Sequence, residues 1–176
     1  MFRILFVCHG NICRSPMAEF ILKDLVNKQG RQDSFVISSA AVSREEIGNP
    51  VYPPARRKLQ EHGLSCEGKT ARQMLRQDYD RYDLLIGMDS GNIRGMQRIC
   101  GGGSMCNTLS ICGGDSMRSK LPICGDGSNG SGGKIRRLLD FTDHPRDIAD
   151  PWYTDDFDAA WKDIEEGCNA LLRTLQ

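Results

Sequence analysis

One segment near the N-terminus constrains the fold of this chain most, because it joins an apolar strand to a helix through a short polar turn. Residues 2–7 (Phe-Arg-Ile-Leu-Phe-Val) are typical of a largely buried strand. Residues 8–15 follow as the turn, with Ser15 as the expected N-cap and Pro16 at the first helical position. Apolar residues then recur at helical spacing until Gly30. The segment therefore predicts a β-loop-α unit.

Strands and helices alternate along the rest of the chain. The patterns predict strands over residues 35–39, 82–88 and 147–149, and helices over residues 55–62, 70–77, 90–98, 134–139 and 155–175. This alternation predicts a single three-layer α/β domain, in which a four-stranded parallel sheet is flanked by helices. The ligand site of such a sheet lies at the carboxyl ends of its strands.

The balance of charge excludes several classes of function. The chain has 23 Lys and Arg and 23 Asp and Glu, so no basic excess indicates binding to nucleic acid. It has no stretch typical of a signal peptide, and none approaching the ~20 apolar residues of a membrane span. We therefore expect a cytoplasmic protein that contacts neither nucleic acid nor membrane. Any anion that it binds must be held by a local site.

A repeat interrupts this pattern. The segment 99–105 (Ile-Cys-Gly-Gly-Gly-Ser-Met) recurs at residues 111–117 and, more loosely, at 123–129, before a Gly/Ser-rich tract. We interpret residues 100–132 as a tandem expansion of a surface loop, inserted into the domain and without a function of its own. The alternative is a metal or redox loop, although close C-x-x-C pairs typical of zinc sites are absent from its cysteines, Cys100, Cys106, Cys112 and Cys124.

The turn after the first strand carries the strongest chemical signal. Cys8 and Arg14 are separated by five residues, and the backbone N–H groups of such a loop, with the positive end of the following helix, favour a thiolate. The same groups can cradle a phosphate dianion. Gly10 allows close approach of the backbone, and Asn11 tolerates the left-handed conformation. Arg14 can bind two phosphate oxygens with its planar fork.

The motif resembles one family. Residues 7–19 (Val-Cys-His-Gly-Asn-Ile-Cys-Arg-Ser-Pro-Met-Ala-Glu) are similar to the phosphate loop of the low-molecular-weight protein-tyrosine phosphatases. Further matches follow at residues 38–40 (Ser-Ser-Ala), 70–73 (Thr-Ala-Arg-Gln), 88–90 (Met-Asp-Ser) and 150–153 (Asp-Pro-Trp-Tyr). The resemblance covers the chain apart from roughly residues 100–132.

This resemblance implies a mechanism without metal or other cofactor. Cys8 would be the nucleophile that forms a phosphocysteine intermediate, and Arg14 would bind the phosphoryl oxygens. Asp150 would protonate the leaving phenolate and then act as the base for water. An aspartate titrates near 3.9 in water, so this role requires nearby negative charge, such as a bound phosphate, to keep it protonated. The implied phosphate-binding loop comprises Cys8, His9, Gly10, Asn11, Ile12, Cys13 and Arg14.

Supporting residues are implied in the same way. Ser15 would hydrogen-bond the nucleophilic sulfur, Asn11 would hold the loop with help from Ser39, and Cys13 would form a reversible disulfide with the nucleophile. Lys69 stands where many members carry a histidine of the loop-supporting network.

Two adjacent aromatic residues are expected to shape the cleft. By the resemblance, Trp152 and Tyr153 would form one wall, deep enough for a flat phenyl phosphate. Glu45 would form the opposite wall, where many members carry an aromatic residue. The expected substrate is thus a phosphotyrosine-containing protein or an aryl phosphate, and the product is inorganic phosphate.

Three other functions fit parts of the sequence. A protein-arginine phosphatase would share the scaffold, but members with that activity tend to have Thr where this chain has Ile12. An arsenate reductase would need further cysteines, for which Cys100, Cys106 and Cys112 are candidates. A non-catalytic phosphate-binding module is disfavoured because the three implied catalytic residues are all present.

Overall fold

A four-stranded parallel sheet forms the centre of this computed structural model, which describes residues 1–101 and 133–175. The strands are β1 (Phe2–Cys8), β2 (Phe35–Ala41), β3 (Leu84–Gly87) and β4 (Ile135–Arg137), in the spatial order β2-β1-β3-β4. Each neighbouring pair is parallel. The predicted four-stranded parallel sheet is therefore confirmed.

Helices cover both faces of the sheet and complete the predicted three layers. In the described residues they are α1 (Arg14–Lys28), α2 (Pro53–Glu61), α3 (Arg76–Arg81), α4 (Ser90–Ile99), α5 (Pro151–Thr154) and α6 (Phe157–Thr174). One face of the sheet packs against α1, α2 and α6, and the other packs against α3 and α4. The helical spacing of apolar residues within 155–175 predicts one apolar face, and that face is buried in α6: it consists of Phe157, Trp161, Ile164, Cys168, Leu171 and Leu172.

The central strand β1 is buried on both sides. Ile4 and Phe6 belong to the core beneath α1 and α6, whereas Leu5 and Val7 belong to the core beneath α4. A strand covered on both faces has an almost continuous apolar sequence, which explains the composition of residues 2–7.

The prediction for the fourth strand is wrong. The strand predicted at 147–149 is a segment beside β3, where Ile148 N–H donates to the Met88 carbonyl oxygen at 2.9 Å. The helix predicted over 134–139 is instead β4, followed by a 3₁₀ turn at Leu138–Phe141. Pairing with β3 overrides the local helical pattern, because a short edge strand is stabilised mainly by its neighbour.

Two further local predictions are corrected. The helix predicted over 70–77 begins only at Arg76, because Thr70 and Gln73 form bridges with other extended segments. Ser15 is not the N-cap of α1: Cys13 holds that position, and Ser15 lies inside the helix. The predicted end is confirmed, since α1 stops before Gly30, which has a φ of 64°.

The repeated segment lies almost entirely outside the described residues. The predicted insertion at 100–132 stays a prediction, as do the interpretations placed on Cys106, Cys112 and Cys124. Cys100 is described and caps the C-terminus of α4. Among the described helices, none combines the length and apolar character needed to cross a membrane.

Candidate active site

The turn between β1 and α1 forms a compact loop around the sulfur of Cys8. Asn11 adopts the left-handed conformation, with a φ of 59°, and its backbone N–H donates to Cys8 Sγ at 3.3 Å. Ser15 Oγ lies 3.0 Å from the same sulfur. Hydrogen-bond donors and the N-terminus of α1 thus surround a buried sulfur and stabilise negative charge on it. Ser15 faces the sulfur from inside the helix, which is why it does not cap the helix.

Arg14 is buried at the base of the site, with only 2% of its surface exposed. Its Nη1 donates to Asp89 Oδ2 at 2.6 Å and to the Ile148 carbonyl oxygen at 2.9 Å, and its Nη2 donates to Asp150 Oδ2. Burial by itself lowers the pKa of Arg14, but the negative charges of Cys8, Asp150 and Asp89 outweigh it and raise the pKa. The guanidinium therefore stays charged.

The sequence reasoning assigned no role to Asp89. This residue directly follows the buried segment that ends at Met88, and it caps α4 by accepting a hydrogen bond from Asn92 N–H at 2.7 Å. Its second oxygen holds Arg14. Its position in the sequence does indicate such a role, because carboxylates at the carboxyl ends of parallel strands meet at the ligand-binding edge of the sheet.

Asp150 serves the structure in two ways. Its Oδ1 accepts from Trp152 N–H at 3.1 Å, which caps α5, while its Oδ2 accepts from Arg14. The cap holds the carboxylate at the mouth of the loop. The helix-cap and active-site interpretations of Asp150 are therefore compatible.

A pocket of about 130 Å³ opens above Cys8. It brings together the proposed nucleophile, the buried arginine, Asp150 and both expected walls, and it also includes Glu46, which the sequence reasoning did not assign. The lining residues are Cys8, His9, Gly10, Ile12, Cys13, Arg14, Glu45, Glu46, Asp150, Trp152 and Tyr153. The remaining predicted residues, Asn11, Ser15 and Ser39, lie behind the loop and do not line the pocket.

The two walls differ in chemistry. Trp152 and Tyr153 are exposed (52% and 84%), and the Trp152 ring packs against Tyr52 at a centroid distance of 5.0 Å. Across the pocket, Glu45 Oε2 lies 2.9 Å from His9 Nε2. One wall is thus aromatic and the other is polar and charged.

A hydrogen-bonded chain behind the loop holds Asn11 in place. Asn11 Nδ2 donates to Ser15 Oγ at 2.9 Å and to Ser39 Oγ at 2.8 Å, and Ser39 Oγ donates to Glu19 Oε2 at 2.6 Å. Lys69 Nζ lies 2.8 Å from the same carboxylate oxygen. Glu19 and Lys69 were not assigned as supports, because their contact depends on the packing of α1 against a distant loop.

The charge of Glu19 is compensated locally. Burial by itself raises the pKa of Glu19, but the charge of Lys69, with hydrogen bonds from Lys23, Lys69 and Ser39, lowers it overall. The carboxylate is therefore ionised at neutral pH and remains an acceptor for Ser39. Among the described residues, no group of three or more His, Cys, Asp or Glu is arranged to hold a metal ion.

The sequence matches a known family. Residues 3–111 match the family model described as low molecular weight phosphotyrosine protein phosphatase. The "Low molecular weight protein-tyrosine-phosphatase YfkJ" of Bacillus subtilis is 35% identical over 178 residues, covering 100% of this chain and 97% of that protein. The chain belongs to the low molecular weight phosphotyrosine protein phosphatase family, whose members are hydrolases.

Solved structures agree with this assignment. The crystal structure of YfkJ from Bacillus subtilis has a TM-score of 0.82 and 34% identity, covering 100% of this chain and 95% of that one. The low molecular weight protein tyrosine phosphatase SP-PTP from Streptococcus pyogenes has a TM-score of 0.75 and 28% identity, covering 100% and 94%. The structure titled "DARP, drosophila arginine phosphatase" has a TM-score of 0.72 and 28% identity, covering 97% and 95%. The fold therefore does not by itself decide the phosphorylated residue.

Replacement of Lys69 tests the chain behind the loop. In Lys69→Met, the buried Glu19 keeps Lys23 at 2.6 Å but loses its more buried cation, so we expect the free energy of unfolding to fall by about 2 kcal/mol. We expect kcat for an aryl phosphate to fall about tenfold, because the loop loses its fixed geometry. Lys69→Arg should restore most of both. Urea unfolding and steady-state kinetics are the measurements.

The pH dependence of stability adds a second readout of the same variant. The pKa of Glu19 is lowered on folding, so its contribution is present above its ordinary pKa and is lost as the pH falls through the lowered folded value. Without Lys69, the folded pKa of Glu19 should lie closer to its ordinary value, so the stability lost as the pH falls should be smaller than in wild type. As a control, Lys28→Met removes an exposed ion pair with Asp24 in α1. This variant should change neither kcat nor the loss of stability at acidic pH. Reduced stability with an unchanged kcat would show that Lys69 supports the fold alone.

Proposed function

We propose that this chain hydrolyses phosphotyrosine in proteins through a phosphocysteine intermediate, with Cys8 as the nucleophile and Arg14 and Asp150 as its catalytic partners. The observation that carries the proposal is the convergence of these three side chains on one pocket. Thiolate, guanidinium and carboxylate supply a nucleophile, an anion-binding fork and a proton donor. A module that only bound phosphate would not need all three.

The first step transfers the phosphoryl group to sulfur. Cys8 Sγ attacks phosphorus, the bond to the aryl oxygen breaks, and Asp150 gives its proton to the leaving phenolate. Arg14 and the backbone N–H groups of the loop stabilise the equatorial oxygens of the transition state. Donors fixed before the substrate arrives need no rearrangement during the reaction.

The second step releases phosphate. Asp150 takes a proton from water, the water oxygen attacks phosphorus, and the P–S bond breaks to return the thiolate and free inorganic phosphate. Ser15 Oγ, at 3.0 Å from the sulfur, supports the thiolate as a leaving group. The chemistry needs no metal, because the guanidinium and the loop donors supply the electrostatic stabilisation.

Phosphate and Asp150 compete for the same cation. Arg14 Nη2 donates to Asp150, and its Nη1 donates to Asp89 and to the carbonyl of Ile148. A phosphate dianion that binds the fork displaces Asp150 from Nη2. The released carboxylate then lies next to a dianion, which favours its protonated form. Substrate binding thereby prepares Asp150 for its role as the acid.

The pocket walls support an aryl substrate. Ile12 and the Trp152 ring give the pocket apolar surfaces against which a phenyl ring can pack.

A protein-arginine phosphatase is the main alternative, since Glu45 and Glu46 could face a cationic guanidinium. Phosphate release from phosphotyrosine, phosphoarginine and p-nitrophenyl phosphate, together with arsenate reduction, compares the candidate activities directly. Preference for phosphoarginine would overturn the tyrosine assignment.

Substitutions at the loop test the nucleophile and the fork. We expect Cys8→Ser to lower kcat below about one thousandth of wild type, while phosphate binding measured by calorimetry persists. Arg14→Lys should lower kcat roughly 10²- to 10³-fold, because a point charge does not replace a bidentate fork. Arg173→Lys, at an exposed position of α6, is the control. Near-normal turnover by either loop variant would contradict the mechanism.

Leaving-group dependence tests Asp150. Asp150→Asn keeps an oxygen that can accept the Trp152 N–H bond, so the cap of α5 should persist. We expect kcat/KM for phenyl phosphate to fall about 10²-fold, and much less for p-nitrophenyl phosphate, whose leaving group needs little protonation. An equal loss for both substrates would assign Asp150 a structural role.

The second loop cysteine is proposed as a redox partner. Burial raises the pKa of the Cys13 thiol, and the negative charges of Cys8 and Asp150 add to the effect, so Cys13 stays protonated at neutral pH. Oxidation by peroxide therefore begins at Cys8, which forms a sulfenic acid. Cys13 then condenses with it, forming a disulfide and releasing water.

Recovery from peroxide tests this pairing. We expect a dithiol to restore the wild-type activity, whereas Cys13→Ser should retain turnover but lose the recovery, because its sulfenic acid proceeds to irreversible acids. Peptide mapping of the oxidised protein should show a Cys8–Cys13 bridge. A bridge from Cys8 to Cys100, Cys106, Cys112 or Cys124 would instead support a redox relay.

A further inference from the structure

A second, larger cavity adjoins the active-site pocket. It has a volume of about 640 Å³ and lies between α4 and the segment that follows β2, and we call it the α4 groove. His9, Arg14, Asp150 and Tyr153 line both cavities, so the two meet at these residues. A substrate whose phosphorylated ring occupies the small pocket therefore has a path past these residues into the groove.

Several small residues line the α4 groove. Gly91 and Gly95 lie one turn apart on α4, and Val42 and Ser43 line the groove from the segment that follows β2. A Cβ atom on Gly95 would lie 2.8 Å from Val42 Cγ1, so the helix packs directly against that segment. Glycines in the lining let the main chain of an extended peptide approach α4 closely.

The charges of the groove are unevenly compensated. Its two carboxylates, Asp89 and Asp150, both bind Arg14. Arg98 lies at the C-terminal end of α4, is exposed, and donates through Nε to the Arg94 carbonyl oxygen at 3.3 Å. Within residues 1–101 and 133–175, its guanidinium has no carboxylate partner. Among the described residues, the groove thus offers a cation that can bind an acidic group.

We propose that the α4 groove binds the segment of a phosphoprotein that flanks the phosphotyrosine, and that Arg98 pairs with an acidic side chain in that segment. The proposal rests on the proposed function, because the groove adjoins the active-site pocket. Ile99 and Tyr153 add apolar surface to the same lining, which suits an extended peptide better than a free anion. Arg98 is therefore a specificity-determining residue.

Peptide substrates test the assignment. In a neutral phosphotyrosine peptide, Asp or Lys is placed in turn at each position on either side of the phosphotyrosine, and kcat/KM is measured. Each value is divided by the same enzyme's kcat/KM for p-nitrophenyl phosphate, which fills only the small pocket. We expect wild type to prefer Asp over Lys roughly twofold to fivefold at one or two neighbouring positions, the effect of an exposed ion pair. Added salt should weaken this preference.

Variants of Arg98 connect the preference to the groove. Arg98→Gln should abolish it and Arg98→Glu should reverse it in favour of Lys. Arg173→Gln, which removes the same charge from an exposed position of α6 on the opposite face of the sheet, should leave it unchanged. Equal turnover of all peptides by wild type, or a preference for Asp that survives Arg98→Glu, would overturn the groove assignment and leave the proposed function intact.

Failure of the proposed function has a different signature. An enzyme that hydrolyses neither p-nitrophenyl phosphate nor any phosphotyrosine peptide would overturn both proposals together. An enzyme that hydrolyses p-nitrophenyl phosphate but none of the peptides would overturn the groove assignment and the assignment of a protein substrate.

Discussion

The burial of one positive charge organises this structure. Arg14 is the first residue of α1, and its side chain is buried at the base of the site. Its guanidinium binds Asp89, which follows the β3 segment, and also Ile148 and Asp150, which precede α5. A buried guanidinium that lost one of these partners would cost several kcal/mol, so the three segments are held together. The candidate active site is the place where they meet, and its arginine is positioned before any anion arrives.

The loop itself depends on a second set of polar contacts. Asn11 needs the left-handed conformation to turn its N–H toward Cys8, and its side chain is held from behind by Ser15 and Ser39. Glu19 anchors this set by accepting from Ser39. Lys69, together with Lys23, keeps Glu19 ionised. A histidine at position 69 would lose its charge near neutral pH. Loop geometry is thereby linked to α1.

Membership of the family assigns the chemistry, whereas the surroundings of the pocket decide the substrate. Relatives with the same fold are named for tyrosine and for arginine phosphatase activity. In this chain an aromatic wall at Trp152 faces a charged wall at Glu45, and the α4 groove continues from the same mouth. Differences in these walls, which scarcely affect the sheet, are where relatives can diverge in specificity.

Features that depend only on neighbouring residues could be predicted from the sequence: the β-loop-α unit, the spacing of Cys8 and Arg14, and the buried face of α6. The predictions at 134–139 and 147–149 were wrong because pairing with β3 selects the fourth strand, and no local pattern encodes that pairing. Tertiary structure likewise decided that Asp89 holds Arg14 and that Lys69 holds Glu19. Both contacts join residues far apart in sequence, and a buried charge finds its partner only when the sheet brings distant segments together.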